Sequence, residues 1–267
     1  MTDVAAAARD VLLTADPLEK VKAARRAARD WRHGGIAHDF GGAALPDRPA
    51  RPDRPELKRP ADMARRGKAG SEAGRIALLH ALAHIEFVAI DLAFDLAGRF
   101  GALFPREFVD DWFAVGADEA MHFALLDRRL RALGSSYGAL PAHDGLWEAA
   151  AATADDAAAR LAVVPMVLEA RGLDVTPPMV ARFEAGGDMA SARILRRIAS
   201  DEIRHVGAGS RWFLWHCGAA GIPPVETWQH LVRKHFRAGL KPPFNDSARE
   251  SAGLTRDYYS ALAADRS

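Results

Sequence analysis

Asp118-Glu119-Ala120-Met121-His122 and Asp201-Glu202-Ile203-Arg204-His205 repeat one pattern, Asp-Glu-x-x-His, within a single chain of 267 residues. A lone glutamate in an apolar stretch precedes each copy: Glu86 leads the first and Glu169 the second. The two intervals are equal, 119 − 86 = 33 and 202 − 169 = 33. A Glu and a His three positions apart lie on one helix face, so each pair can grip one metal ion. Two such pairs, plus one glutamate from each of two further helices, make the ligand set of a di-metal carboxylate four-helix bundle. One Glu-x-x-His arises readily by chance on a solvated helix face. Two, each led at the same distance by a glutamate among apolar neighbours, do not. Phe87-Val88-Ala89-Ile90 follow Glu86, and Val163-Val164-Pro165-Met166-Val167-Leu168 lead into Glu169, where an unpaired carboxylate would be costly.

The spacing assigns Glu86, Glu119 and His122 to one side of the centre and Glu169, Glu202 and His205 to the other. Glu119 and Glu202 are the expected bridging carboxylates. An oxygen-rich, nitrogen-poor set suits iron or manganese more than zinc, so two iron ions, or a mixed Mn/Fe pair, are the expected cofactor. Asp118 and Asp201 precede the two glutamates and are expected behind the ligands, accepting a hydrogen bond from a ligand imidazole and so fixing its tautomer. Arg204 is a candidate partner for one of them. His80 and His84 lie one turn apart but face away from Glu86, and read as packing or hydrogen-bonding residues. Trp212, Phe213 and Trp215 read as core or interface, and Arg171, Asp174 and His143 as polar cross-links between loops.

Working outward, a basic alanine-rich helix is expected over about Pro17–Arg32, broken by Gly34-Gly35 and Gly41-Gly42. Pro46, Pro49, Pro52 and Pro55 recur every third residue, which suits an extended polyproline arm. Helical periodicity covers Ala73–Arg99, then a second helix that starts at Pro105 and is closed by Gly134 near Leu133. A third helix is expected over Leu146–Arg171, ending at Gly172, with a short helix from Thr176-Pro177-Pro178 to Gly186-Gly187. A fourth, capped by Asp188, covers Met189–Cys217. A further helix near Val225–Phe236 and an irregular tail complete the chain, with no convincing β-pattern. The fold class is therefore all-α. The dozen residues between the second and third helices could extend ~40 Å, enough to return along a helix of about 27 residues. That gives a ferritin-like four-helix bundle with one long crossover, made of two duplicated helix pairs. The expected organisation is an N-terminal basic helix and Pro-rich arm over 1–70, the bundle with its di-metal site over 71–217, and a C-terminal helix and tail over 218–267.

Composition bounds the rest. Hydrophobic residues make up 49% of the chain and the net charge is +1, which selects no partner. Residues 20–70 hold fourteen Lys/Arg against six Asp/Glu, so this arm is about +8 and the remainder about −7. Such an arm can meet nucleic acid, an acidic lipid or its own acidic body; its arginines lie between prolines with no aromatics to stack bases, which favours the body over nucleic acid. Cys217 is the only cysteine, which rules out an intrachain disulfide and a cysteine-built iron–sulfur cluster. Met1–Ala8 lacks the pattern of a signal peptide, and no run of eighteen uninterrupted apolar residues suggests a membrane span; a cytoplasmic setting is expected.

The sequence also resembles a ferritin-like family catalogued as domain of unknown function 455. The matching stretches are Gly74-Arg75, Leu79-His80-Ala81-Leu82-Ala83-His84-Ile85-Glu86 and Pro141-Ala142-His143-Asp144-Gly145-Leu146-Trp147. Val164-Pro165, Glu169-Ala170-Arg171-Gly172-Leu173-Asp174-Val175-Thr176-Pro177 and Asp201-Glu202 with His205-Val206 complete them. The resemblance implies the ferritin-like fold and a di-iron site, but no settled activity. Asp201-Glu202-Ile203-Arg204-His205 is similar to an element of di-iron oxygenases, among them a tRNA-modifying hydroxylase, hydrocarbon monooxygenases and acyl desaturases. The leading reading is an oxygen-dependent oxidoreductase of hydroxylase or desaturase type. It would act on a small organic or acyl-type substrate with an external electron donor, since no flavin, nicotinamide or iron–sulfur motif is present. A tRNA partner is the less favoured alternative. The competing readings are a metal-braced binding module, a ferroxidase or iron-handling protein, and a radical generator. The last is disfavoured because Tyr137, Tyr258 and Tyr259 lie on no ligand-bearing stretch. A monomer or small oligomer is expected.

Overall fold

The computed structural model describes residues 2–41, 44–63 and 71–264. Gly42, expected to help break the first basic helix, and the last residues of the tail lie outside them. The protein is mostly helical, with 72% helix and 2% strand. It divides into two compact units, Met1–Glu148 and Ala149–Ser267.

In the first unit α1 (Val4–Leu13) and α2 (Pro17–Arg32) pack on α3 (Glu72–Phe100) and α4 (Arg106–Ala132). Each start follows from a cap. Asp3 accepts from Ala6 N at 2.7 Å, Asp16 from Leu18 and Glu19 N with Pro17 at the first helical position, and Ser71 from Gly74 N. α1 was not anticipated: its alanines give little periodicity to read. A short strand pair, Thr2–Asp3 parallel to Ile36–Ala37, was also not anticipated, since two residues are too few to leave an alternating pattern.

The turn Gly101–Leu103 joins α3 to α4, and the side-chain pairs run in opposite order along the two helices. Phe87 meets Phe123 with ring centroids 5.3 Å apart, and Phe94 meets Phe113 at 4.9 Å. The helices are therefore antiparallel. They also approach closely: a Cβ on Gly116 would stand 2.5 Å from the Phe94 ring. Gly134, in the left-handed region at φ 72°, closes α4, with Ser135 N bonded to Leu130 O, as its position predicts.

Glu72–Leu103 is long and apolar enough to pass for a membrane span by length and composition, although its apolar run is not uninterrupted. However, 67% of its most apolar window is buried within the protein. It also buries Glu86, Asp91 and Asp95. Asp95 is clamped by Arg99 at 2.7–3.2 Å, and Asp91 by Lys20 and Arg51. These features mark a core helix.

α5 (Gly145–Ala151) spans the boundary, and the second unit corrects the expected third helix. Residues 152–156 interrupt it, because Asp156 caps a new helix, α6 (Ala157–Val163), by accepting from Ala159 N at 2.9 Å. Buried Arg160 ties the break together through Thr153 Oγ1 and Ala150 O. A π-helical segment, Val164–Glu169, follows, and then α7 (Ala170–Ala185). Gly172 therefore does not end a helix, and Pro177 and Pro178 lie inside one. The carbonyl of Leu173, four residues before Pro177, accepts from Asn245 Nδ2 at 3.2 Å instead, which offsets the missing N–H.

α8 (Met189–Ala220) is capped by Asp188 as expected, but runs past Cys217 to Gly221 at φ 66°. α9 (Pro224–His235) is near its expected place, whereas the tail is not irregular: it forms α10 (Asp246–Ser251) and α11 (Arg256–Ala264). Arg249 fixes this tail with a two-pronged pair to Asp174 at 2.7 and 2.8 Å. Arg171 adds bonds to the carbonyls of Lys241 and Pro243.

Candidate metal centre

In the first unit α3 supplies Glu86 and α4 supplies Glu119 and His122. The antiparallel packing that pairs Phe87 with Phe123 brings their immediate neighbours, Glu86 and His122, face to face. His122 Nδ1 lies 3.1 Å from Glu86 Oε2 and 3.4 Å from Glu119 Oε2. One ligand atom from each of the three residues lies within 4.8 Å of the others, and all three are buried. Two carboxylates in so small a buried space repel one another. Burial first, and then Glu119, push the Glu86 carboxyl well above its usual range. Burial works against charge on His122 as well, but its bonds to Glu119 and Glu86 prevail and hold it up at about 11. A cation placed among these atoms relieves both strains, so the residues fit a metal ion.

In the second unit α8 supplies Glu202 and His205, both buried, with His205 Nδ1 3.7 Å from Glu202 Oε1. Glu169 ends the π-helical segment and is half-buried. That segment is wedged on α8, where a Cβ on Gly209 would stand 2.4 Å from Pro165. Gly172, one turn beyond Glu169, lies against Glu202: its added Cβ would be 3.8 Å from Glu202 Cγ. A π-helical turn widens the spacing along a helix and recurs where a side chain must be aimed at a site. Nothing in the residue types from Val164 to Glu169 announces it.

Asp201 accepts from Arg197 at 2.5 Å and from Arg204 at 2.7 Å, so the expected Arg204 pairing is present. Asp118 is half-buried beside Glu119. His80 accepts from Gly138 N–H at 2.9 Å. His84 spans Tyr137 Oη at 2.9 Å and the His143 carbonyl at 3.2 Å, so both histidines are hydrogen-bonding residues. The Nε2–H of His84 donates to that carbonyl, which leaves Nδ1 to accept from the tyrosine. Burial holds both imidazoles down to about 4. Sequence reasoning missed the place of Tyr137. It lies on no stretch that carries a candidate ligand, yet its ring packs on Phe87 at 5.3 Å and Phe123 at 5.0 Å, the neighbours of Glu86 and His122. Trp212 and Phe213 are core, whereas Trp215 is partly exposed.

The arm packs on its own unit. Ala50 N bonds to Leu12 O, and Lys58 and Glu56 pair through their backbones with Ala142. Arg48 meets Asp144 and Arg51 meets Asp91.

A helical protein with a buried carboxylate–imidazole cluster able to hold a metal ion is the class these features define. The chain belongs to the family described as "Protein of unknown function (DUF455)", whose model matches residues 13–260. It is also 42% identical over 211 residues to an "Uncharacterized protein" of Haemophilus influenzae (strain ATCC 51907 / DSM 11121 / KW20 / Rd). That match covers 77% of this chain and 73% of the relative. No solved structure matches.

Proposed function

We propose that the protein is a di-iron carboxylate oxidoreductase that uses dioxygen to hydroxylate or desaturate a small organic or acyl-type substrate, with electrons from an external donor. The observation that carries this reading is the buried cluster of Glu86, Glu119 and His122, matched at the same sequence interval by Glu169, Glu202 and His205. In this reading the two sets serve one ferritin-like centre, with a long crossover between the helix pairs. Glu86, Glu119 and His122 would hold one ion, and Glu169, Glu202 and His205 the other. When bound, the ions supply the activation of dioxygen that no side chain can supply.

The protein's own part is to position and to exclude. Phe87 and Phe123, both buried, keep water from the ligands. His122 is turned onto Glu86, and Asp118 and Asp201 stand next to Glu119 and Glu202 in the chain. Cells would hold such an enzyme in the cytoplasm, where reducing partners are available. The test is anaerobic loading with Fe(II), then exposure to oxygen with and without candidate substrates, followed by absorbance and oxygen uptake. Oxidation of the loaded iron with uptake stimulated by a substrate is expected. Loaded iron inert to oxygen would leave a metal-braced binding module, and rapid uptake indifferent to every substrate would leave iron handling; either overturns the proposal.

A further inference from the structure

The extended segment between α2 and α3 brings a compact charge cluster onto α3. Lys20 and Asp91 are both 0% exposed and paired, and Lys20 Nζ also donates to Ala50 O at 3.4 Å. Arg51 Nη1 donates to the second oxygen of Asp91, and Arg48 Nη2 donates to Asp144 Oδ2. The Arg51 guanidinium also lies over the Phe87 ring, 5.5 Å from its centroid. Its other edge, where Nε–H and Nη2–H point side by side, is buried and has no hydrogen-bond partner among the described residues. Asp144 Oδ1, 4.0 Å from Arg51 Nη2, is likewise buried and without one.

Three polar atoms without a hydrogen-bond partner in one place are unusual, because a buried polar group loses its hydration and is normally paired in return. The pattern is also specific. The Nε/Nη2 edge of arginine is a two-pronged fork matched to the two oxygens of a carboxylate. The acceptor beside it asks for a donor one bond further on. Charge agrees: Lys20, Arg48 and Arg51 carry three positive charges against two negative charges on Asp91 and Asp144, so a monoanion brings the cluster to neutrality. Arg48, with its side chain 68% exposed, is the member that can swing aside to admit it.

We propose that Arg51 and Asp144 form a binding site for a small 2-hydroxy carboxylate, its carboxylate on the arginine fork and its hydroxyl donating to Asp144 Oδ1. Phe87 supplies the apolar wall and connects this site in sequence to Glu86. The inference deepens the oxidoreductase reading by naming a substrate class. It rests on that reading for its catalytic meaning, but not for binding.

The test uses the full chain as purified, with 15N-labelled arginine side chains, and follows the Arg51 Nε–H resonance, assigned by its loss in Arg51→Lys. Glycolate is the probe, with acetate and chloride as comparators. Glycolate should shift the resonance saturably, acetate should bind about tenfold more weakly, and chloride should do neither. Asp144→Asn should remove the advantage of glycolate over acetate. A resonance unmoved by glycolate, or moved equally by chloride, overturns the proposal and leaves ordered water as what meets these atoms. If either variant fails to fold, the comparison of the three anions on the wild-type protein still decides, because the signal can be assigned by its contacts to Phe87. Oxygen uptake plays no part here, so failure of this site leaves the oxygen chemistry standing, and the reverse holds too.

Discussion

Replacing Glu86 by Gln separates a metal ligand from a structural carboxylate, because the two roles give effects of different size with and without metal. In metal-free protein, burial and Glu119 already favour the neutral acid at position 86. Gln copies that neutral group and can still accept from His122, which lies 3.1 Å away. Metal-free stability should therefore change by less than about 1 kcal/mol. A bound cation needs the ionised oxygen, which Gln cannot offer. Metal at a hundred times its Kd stabilises the wild type by about 2.7 kcal/mol, and a hundredfold loss of affinity leaves about 0.4 kcal/mol. For a chain of this size the difference is about 5 °C or more in Tm. The assay is thermal unfolding of wild type and Glu86→Gln, each with chelator and with excess Fe(II) under anaerobic conditions. Equal destabilisation of the variant in both conditions would refute the reasoning and make Glu86 a purely structural group.

Gly209→Ala should cost about 1–3 kcal/mol, because its Cβ would meet Pro165 at 2.4 Å, and it should also lower metal content by shifting the segment that carries Glu169. Gly218→Ala on the same helix meets nothing within 4 Å and should be neutral or slightly stabilising; equal effects in denaturant melts would contradict this. Acid should weaken the fold through His80 and His84. The unfolded chain takes up protons from about pH 6.5 downward, while the folded protein refuses them until about 4, so stability falls across that window. For His84 the full displacement amounts to about 3 kcal/mol, and His84→Gln should flatten the profile between pH 7 and 5; an unchanged profile would count against it.

The clustering of Glu86, Glu119 and His122 was legible because it obeys helical geometry: Glu119 and His122 are three apart on a regular helix, and a short connection makes α3 and α4 neighbours. Caps were legible for the same local reason, as at Asp188 and Gly134. The break at residues 152–156, the π-helical turn before Glu169 and the two prolines inside α7 were not, since each is sustained by tertiary partners. Asn245 takes the Leu173 carbonyl from 72 residues away in the chain. Gly172 reads as a stop signal, yet α7 runs through it, and a Cβ there would make only ordinary contact with Glu202 at 3.8 Å. Tyr137 shows the same limit, because contacts from a loop to two helices leave no periodic trace.

Metal analysis after anaerobic Fe(II) reconstitution and removal of loose iron tests the central claim most directly. The account predicts close to two iron ions per chain, with the content falling sharply in Glu119→Ala and in Glu202→Ala. Iron absent from the reconstituted wild type, or retained in full by both variants, would contradict it.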